Sequence, residues 1–142
     1  MEWMIMPLRR YAQFSGRARP KEFWMFVLFV IIGIFVLSFV DAALGFGSSQ
    51  RWMMHEGYNA SAGFRNSGGL LTCLFLLGTI IPYLAVAVRR LHDTDRSGWW
   101  LLLSLIPLIG GIILLVFFVS GGTRGANRFG ADPLEDVATP VV

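Results

Sequence analysis

Ionisable side chains are concentrated in the stretch VRRLHDTDRSGWW, residues 88–100. If a helix continues through this stretch, one of its faces carries residues at i, i+3, i+4 and i+7, namely Arg89, His92, Asp93 and Arg96. Such a cluster could bind a phosphate headgroup, because a guanidinium presents paired donors to phosphate oxygens. Arg90 and Asp93 are three residues apart, so the group could equally neutralise itself at the end of a helix. Both interpretations stay open at this point.

His92 and Asp93 are also candidates for acid–base chemistry on a lipid substrate. No nucleophile stands beside them, so an enzyme is the least favoured class. A metal site built from His92, Asp93 and Asp95 would need further ligands, and the other histidine, His55, is expected on the opposite side of the membrane. The adjacent arginines would also repel a cation. We therefore expect neither a metal site nor a cofactor.

Asp41 is the single formal charge inside an apolar run. An ionisable group at membrane depth is costly and is a functional candidate by default. One hypothesis is an oligomeric small transporter or channel subunit, with Asp41 near the path and helix kinks at Pro82 and Pro107. The favoured alternative is structural, because Asp41 falls in the last turn of its predicted helix, where it can pair or reach the interface.

Two further polar stretches carry candidate residues, one before the first apolar run and one after the last. The tail GGTRGANRFGADP, residues 121–133, is rich in glycine, and such backbone can cradle phosphate. It has no Gly-Lys-Ser/Thr motif, so a compact turn is the favoured interpretation. The candidate lipid- or partner-binding residues are Arg17, Arg19, Arg89, Arg90, His92, Asp93, Arg96, Asn127 and Arg128.

These residues must be positioned by apolar elements, since 55% of the 142 residues are hydrophobic and only 15% are charged. Three uninterrupted apolar runs are long enough to cross a hydrocarbon core of about 30 Å as helices. The sequence predicts an all-α integral membrane protein with a small bundle of three transmembrane helices. The expected organisation is a basic amphipathic, interfacial N-terminal segment (1–22), helices at about 23–44, 70–88 and 99–119 within a membrane domain (23–119), and a Gly-rich polar tail, disordered at its end (120–142).

The distribution of Lys and Arg predicts a cytoplasmic N-terminus. Eight of these residues lie before the first run or in the second loop, and four lie in the first loop or the tail. With three crossings, the C-terminal tail would face the other side. The first loop, about 46–69, is expected to lie along the interface. The single cysteine, Cys73, excludes an internal disulfide and is expected to be a small buried residue.

Three sequence blocks, FSGRARPKEFWMF, RRLHDTDRSGWW and GANRFGADP, occur in this order along the chain. Together they resemble domain-of-unknown-function family 805, the YhaH-type bacterial inner-membrane proteins, over roughly residues 8–133. The resemblance implies a compact helical bundle in a bacterial inner membrane. It implies no activity, and no catalytic residue carries over. Because the odd helix count places the third block opposite the first two, we expect separate clusters rather than one site.

The sequence favours a multi-pass membrane protein with a non-enzymatic role over an enzyme. The protein is expected to bind anionic lipid or a membrane partner through its Arg and aromatic clusters. Homo-oligomerisation is a plausible further expectation, because three short helices enclose little interior. The formal charge of +3 does not indicate nucleic-acid binding. The basic residues flank apolar runs, which fits anionic headgroups better, and base-stacking motifs are missing.

Overall fold

The computed structural model describes residues 2–46, 49–56, 59–66 and 69–134, with side chains for 2–46 and 69–134. The elements in chain order are α1 (Glu2–Arg9), α2 (Pro20–Leu44), β1 (Ser49–Glu56), β2 (Asn59–Asn66), α3 (Leu70–Asp93), a 3₁₀ helix (Gly98–Leu105) and α4 (Ile109–Val119). They form two compact units: residues 1–29 with 79–142, and residues 30–78. The end of the tail, predicted to be disordered, lies outside the described residues.

The long helices α2 and α3 have the length and composition of membrane spans, at 25 and 24 residues. Only 11% of the most apolar window of α2 and 33% of that of α3 is buried within the protein. A core helix of a soluble protein would bury most of such a window, so these surfaces suit lipid. Phe35, for example, is 77% exposed. Cys73 is exposed as well, so the expectation that it is buried was wrong.

The ends of α2 follow the local sequence. The helix begins at Pro20, where the missing N–H of proline is not needed. Gly45 follows its last residue with φ +74°, a left-handed conformation that costs glycine little. α3 continues past the predicted end at residue 88 as far as Asp93, which places the residues from Arg89 to Asp93 on a helix, as the spacing argument requires.

The third apolar run is not the single helix predicted for residues 99–119. It forms the 3₁₀ helix and α4, which pack against each other, with a break between them. Pro107 explains the break, because its ring cannot donate a hydrogen bond and clashes with the preceding turn. Leu108 has φ +64°, and a Cβ at Gly110 would lie 1.7 Å from the Leu103 carbonyl oxygen. Glycine therefore permits the close packing of the two halves.

Within the unit of residues 1–29 and 79–142, the apolar core joins the start of α2, the second half of α3 and α4. The Phe23 ring lies 4.4 Å from that of Phe118 and 6.3 Å from that of Tyr83. Other buried members are Ala18, Phe26, Ala85, Val86, Ala87, Leu91 and Leu114. Small residues on α3 let neighbouring backbones approach, as is usual for helix packing in membranes.

Residues 30–78 contain an antiparallel hairpin of β1 and β2, with register from Ser49↔Asn66 to Glu56↔Asn59. These strands lie in the stretch 46–69, which was predicted to be a loop along the interface. The other elements among the described residues are helices, which agrees with the predicted all-α class of the membrane-embedded part. Where α2 and α3 pack in this unit, Gly33 is required, since a Cβ there would meet the Phe75 ring at 2.4 Å.

Candidate functional site

Asp93, the last residue of α3, is shared by two buried arginines. Arg17 Nε donates to Asp93 Oδ1 at 3.0 Å, and Arg90 Nη1 donates to Oδ2 at 2.6 Å. All three side chains are almost fully buried. Burying charge is costly unless the partners are well paired, and here one carboxylate holds two guanidiniums that also need other acceptors. The chain supplies these acceptors from its tail.

The tail closes over this ion cluster through backbone carbonyls. Arg17 donates to the carbonyl oxygens of Gly125 at 2.6 Å and Thr123 at 2.5 Å. Arg90 donates to the carbonyl of Phe118 at 3.2 Å and also to that of Ser120. We call the set Arg17, Arg90, Asp93, Thr123 and Asn127 the tail junction. Its guanidinium donors are satisfied by carbonyls in the last turn of α4 and just past its end.

Backbone and amide contacts fix the tail at the end of α3. Thr123 N donates to the Asp93 carbonyl at 2.9 Å, and Asn127 Nδ2 donates to the His92 carbonyl at 2.9 Å. Among the described residues, the His92 carbonyl otherwise accepts only from Asp95 N in the turn after α3, and the Asp93 carbonyl accepts from the tail, so the tail caps α3. Gly122 permits the approach, because a Cβ there would lie 2.2 Å from Asp93 Oδ2.

A second carboxylate, Asp132, fixes the far end of the tail. Its Oδ1 accepts from Leu134 N at 2.9 Å, and its Oδ2 accepts from Gly125 N at 3.0 Å. Arg17 Nη2 lies 3.9 Å from Oδ1. The Leu134 N–H in the first place, with help from Gly125 and Arg17, holds the pKa of Asp132 below its usual value of 3.8 despite some desolvation.

Arg89 points to a different carboxylate. Its Nη1 lies 2.9 Å from Glu22 Oε1, and both side chains are buried. The contact has the charges and distance of an ion pair without the geometry of a directed hydrogen bond. Among the described residues, the three guanidinium nitrogens of Arg89 have no hydrogen-bond acceptor. Arg89 therefore serves to neutralise Glu22 at the start of α2.

His92 is held between the tail and the N-terminal segment. Its ring stacks on Phe129 at 3.9 Å with an interplanar angle of 3°, and its Nδ1 lies 3.2 Å from the Gly16 carbonyl. A carbonyl only accepts, so Nδ1 carries the proton in this contact. Gly16, at φ +88°, makes the turn that brings its carbonyl here. The contact with Gly16 fixes the tautomer and the orientation of the imidazole ring, and Phe129 covers one of its faces.

The remaining predicted cations lie at the surface. Arg96 lies over the Phe117 ring at 4.0 Å, and Arg128 over the Phe129 ring at 4.8 Å. Arg128 also pairs with Asp95 at 3.1 Å, where both side chains are well exposed. Pairs of this exposed kind contribute little to stability. These groups are available to outside ligands, whereas Arg17, Arg89 and Arg90 are engaged by the protein itself.

A basic cavity of about 360 Å³ lies beside the tail junction. The residues that line it come from α1, from the turn before α2, from the first turn of α2 and from the tail; they are Trp3, Met6, Arg10, Gly16, Arg17, Arg19, Glu22, Gly130, Ala131 and Pro133. Sequence reasoning missed Arg10. The signal was available, because Trp3, Met6 and Arg10 are spaced i, i+3 and i+7 and share one helical face.

Comparison with known proteins assigns the family. A family model described as protein of unknown function (DUF805) matches residues 11–131. The chain belongs to this family. It is 46% identical to "Inner membrane protein YhaH" of Escherichia coli (strain K12) over 133 residues, which cover 94% of this chain and 97% of that protein. It is 43% identical to "Inner membrane protein YhaI" of the same strain, over 94% of this chain and 96% of that one. No solved structure matches.

The predicted family is confirmed, and this DUF805 protein is an integral protein of the inner membrane. The expectation that its three motif blocks form separate clusters was wrong. Arg17 of the first block, Asp93 of the second and Asn127 of the third meet at the tail junction. The physical reason is the break at Pro107. The chain leaves the tail junction after Asp93 and returns to it by Thr123, so the tail does not face the opposite side from the second loop.

The intramembrane candidate, Asp41, caps the first turn of α3. Its Oδ1 accepts from Leu71 N at 3.1 Å, and its Oδ2 accepts from Thr72 N at 2.9 Å and Thr72 Oγ1 at 2.7 Å. These are backbone donors that a helix start leaves unsatisfied. The geometry favours the structural interpretation of Asp41 over a place on a transport path. Over the described ranges, no group of three His, Cys, Asp or Glu side chains is placed to hold a metal ion.

Proposed function

We propose that this DUF805 protein is a non-enzymatic membrane protein that presents one basic surface to the cytoplasm and binds anionic phospholipid there. The observation that carries the proposal is the convergence of the N-terminal segment, the end of α3 and the tail on the tail junction. Basic residues that would otherwise be divided between two faces are thereby collected on one.

The topology behind the proposal is two crossings, by α2 and α3, followed by a re-entrant hairpin. α4 has 11 residues, or about 16 Å at 1.5 Å per residue, and the 3₁₀ helix of eight residues is of similar length at about 2 Å per residue. Each is about half of a hydrocarbon core of roughly 30 Å. A half-length pair enters the bilayer and returns to the same side.

Charge supports the cytoplasmic assignment of that side. Of the chain's 12 Lys and Arg residues, all but Arg51 and Arg65 then lie with the N-terminus. Two crossings with a re-entrant hairpin give a stronger positive-inside bias than three crossings, because three crossings place Arg124 and Arg128 outside. The asymmetry supports a cytoplasmic N-terminus.

Anionic phospholipid is the ligand class that fits this surface. Exposed and half-buried cations lie against aromatic rings: Arg19 and Lys21 over Trp3 at 5.6 and 5.7 Å, and Arg96 over Phe117. When a cation lies beside an aromatic ring in the interface, the cation attracts the charged headgroup and the ring packs against the upper acyl chains. The re-entrant segment adds exposed apolar surface, with Leu108 84% exposed.

The topology is tested by labelling single cysteines with a membrane-impermeant maleimide in intact spheroplasts. In a Cys73→Ser background, Arg124→Cys is expected to stay unlabelled until the membrane is permeabilised, whereas Ser61→Cys is expected to react at once. Three full crossings predict that Arg124→Cys reacts in intact cells. Labelling after permeabilisation is the control that each thiol is reactive.

Lipid binding is tested by native mass spectrometry of the wild-type protein from nanodiscs of equal phosphatidylcholine and phosphatidylglycerol. The expected result is retention of phosphatidylglycerol in clear excess, decreasing as ionic strength rises. Equal retention of the two lipids at low salt contradicts the proposal. A partner protein retained at fixed stoichiometry without bound lipid does so as well, and points to the protein-binding alternative.

A further inference from the structure

We infer that the basic cavity lined by Arg10, Arg17 and Arg19 binds a phosphate monoester group. The inference rests on the proposed function, since it names the headgroup chemistry that one site on the basic surface selects. The cavity volume of about 360 Å³ is within the range of small-molecule sites, about 300–1,000 Å³. Its chemistry follows from which of its charges are already neutralised.

Two of the four charged residues in the cavity wall are neutralised by residues that do not themselves line the cavity. Arg17 is paired with Asp93 and lies near Asp132. Glu22 would repel an anion, but its Oε1 is buried against Arg89 at 2.9 Å. Arg89 thus neutralises Glu22, the one acidic residue in the cavity wall, and Arg89 itself does not line the cavity.

The other two cations of the cavity wall, Arg10 and Arg19, are not neutralised by a carboxylate in direct contact, and Asp132 acts on Arg19 from beyond salt-bridge distance. Neither side chain takes part in an ion pair or a hydrogen bond among the described residues. Arg10 is exposed and Arg19 half-buried, so both are accessible from the cavity. Two arginines that line one cavity match a group of charge near −2 that offers several oxygens.

A phosphate monoester has this charge and a diester does not. The monoester carries about −1.5 to −2 at pH 7 and three acceptor oxygens, whereas a diester carries a single negative charge. Trp3 and Met6 give the cavity an apolar side on the α1 face, which suits the glycerol and acyl portion of a lipid. The same phosphate chemistry occurs in phosphatidic acid and in soluble esters such as glycerol 3-phosphate.

The test compares phosphatidic acid with phosphatidylglycerol in nanodiscs that hold the full-length protein, by native mass spectrometry and by ³¹P NMR of the monoester. Wild-type protein is expected to retain phosphatidic acid over phosphatidylglycerol. The double variant Arg10→Gln/Arg19→Gln is expected to lose that preference, with affinity for phosphatidic acid decreased about tenfold or more. Addition of glycerol 3-phosphate to phosphatidylcholine discs tests the soluble source.

The matched control is Arg9→Gln/Arg124→Gln, which removes the same net charge from two exposed arginines that do not line the cavity. It is expected to keep the preference for phosphatidic acid. Thermal unfolding is measured for both variants as a check on folding. Both are expected to be folded, because the substituted positions are exposed or half-buried.

The outcomes separate the two proposals. If only the cavity variant loses the preference for phosphatidic acid, the monoester site is supported. Binding of phosphatidic acid then indicates a lipid ligand, and binding of glycerol 3-phosphate alone indicates a soluble one. Equal retention of the two anionic lipids, or equal effects of the two double variants, overturns the monoester site and leaves the basic surface standing. If wild type retains no anionic lipid and no glycerol 3-phosphate, both proposals fail.

Discussion

The two ends of α3 hold buried carboxylates in opposite ways. At its start, Asp41 is satisfied by the neutral N–H groups of Leu71 and Thr72 and by a hydroxyl. At its end, Asp93 is satisfied by the two cations Arg17 and Arg90. The helix dipole explains the difference, because the N-terminal end of a helix stabilises an anion and the C-terminal end does not.

The comparison separates the two carboxylates by function. Asp41 completes a helix start with groups from its immediate surroundings. Asp93 requires two arginines, and these require the carbonyls of the tail, so the carboxylate at the end of α3 assembles three distant segments. The part of the chain that forms the candidate binding surface is therefore the part held together by charge.

The largest expected effect is that of Asp93→Asn. The substitution removes the shared anion and leaves two buried guanidiniums without their contact carboxylate. Breaking a buried ion network in this way costs about 3–5 kcal/mol. Unfolding by sodium dodecyl sulfate titration in mixed micelles measures the loss, and increased proteolysis near residue 124 reports release of the tail.

The control is Asp95→Asn, which breaks the exposed pair with Arg128. Exposed pairs contribute about 0–1 kcal/mol. If Asp93→Asn is no more destabilising than Asp95→Asn, the tail junction is not held by charge, and the contrast between the ends of α3 disappears.

A smaller effect is expected at the glycines of the tail. In Gly122→Ala, the new Cβ lies 2.2 Å from Asp93 Oδ2, so the tail or the carboxylate must move. Overpacking of this kind costs about 1–3 kcal/mol. The neighbouring Gly121→Ala meets nothing within 4 Å and is the matched control. Equal unfolding free energies for the two variants would show that the tail is not closely packed on Asp93.

The sequence was sufficient for the helical class and for the family, because long apolar runs and motif blocks are local signals. Pro20 and Gly45 likewise marked the ends of α2 correctly. The local sequence does not indicate whether the chain continues across the membrane or turns back after Pro107. Hydropathy is averaged along the sequence, and the 21 residues 99–119 are apolar enough on average to indicate one crossing whether the chain continues or turns back.

The single helix predicted for residues 99–119 is the expectation that kept the site from being predicted. With three crossings, Asn127 and Asp93 fall on opposite sides, and the tail junction cannot be anticipated. The partners of Arg90 are carbonyls that become available only where α4 ends, which no side-chain motif encodes. The hairpin of β1 and β2 was missed for a related reason, since its pairing joins residues across a loop whose composition favoured an irregular structure.

At the other end of α3, Asp41→Ala is expected to destabilise the protein less than Asp93→Asn does. It removes a helix cap and leaves no buried charge behind, and cap losses are the smaller of the two effects. Asp41→Asn, which keeps an acceptor oxygen, is expected to lie between Asp41→Ala and wild type in the same unfolding titration. Ion flux in proteoliposomes that disappears in Asp41→Asn, with stability unchanged, would restore the transport hypothesis.

The smallest expected effect is a pH dependence of the tail that arises from Asp132. Its pKa is lowered in the folded protein, so its contribution to stability is complete above the usual value of 3.8 and is lost as the pH decreases through the lower folded value. Exchange of the Gly125 amide hydrogen is therefore expected to stay slow from pH 7 to about pH 4, after correction for the intrinsic exchange rate, and to accelerate below that. In Asp132→Asn the acceleration is expected to be absent or weaker. Release of the tail between pH 5 and 6 would assign the titration to another group, and would show that the anion of Asp132 is not what fixes the far end of the tail.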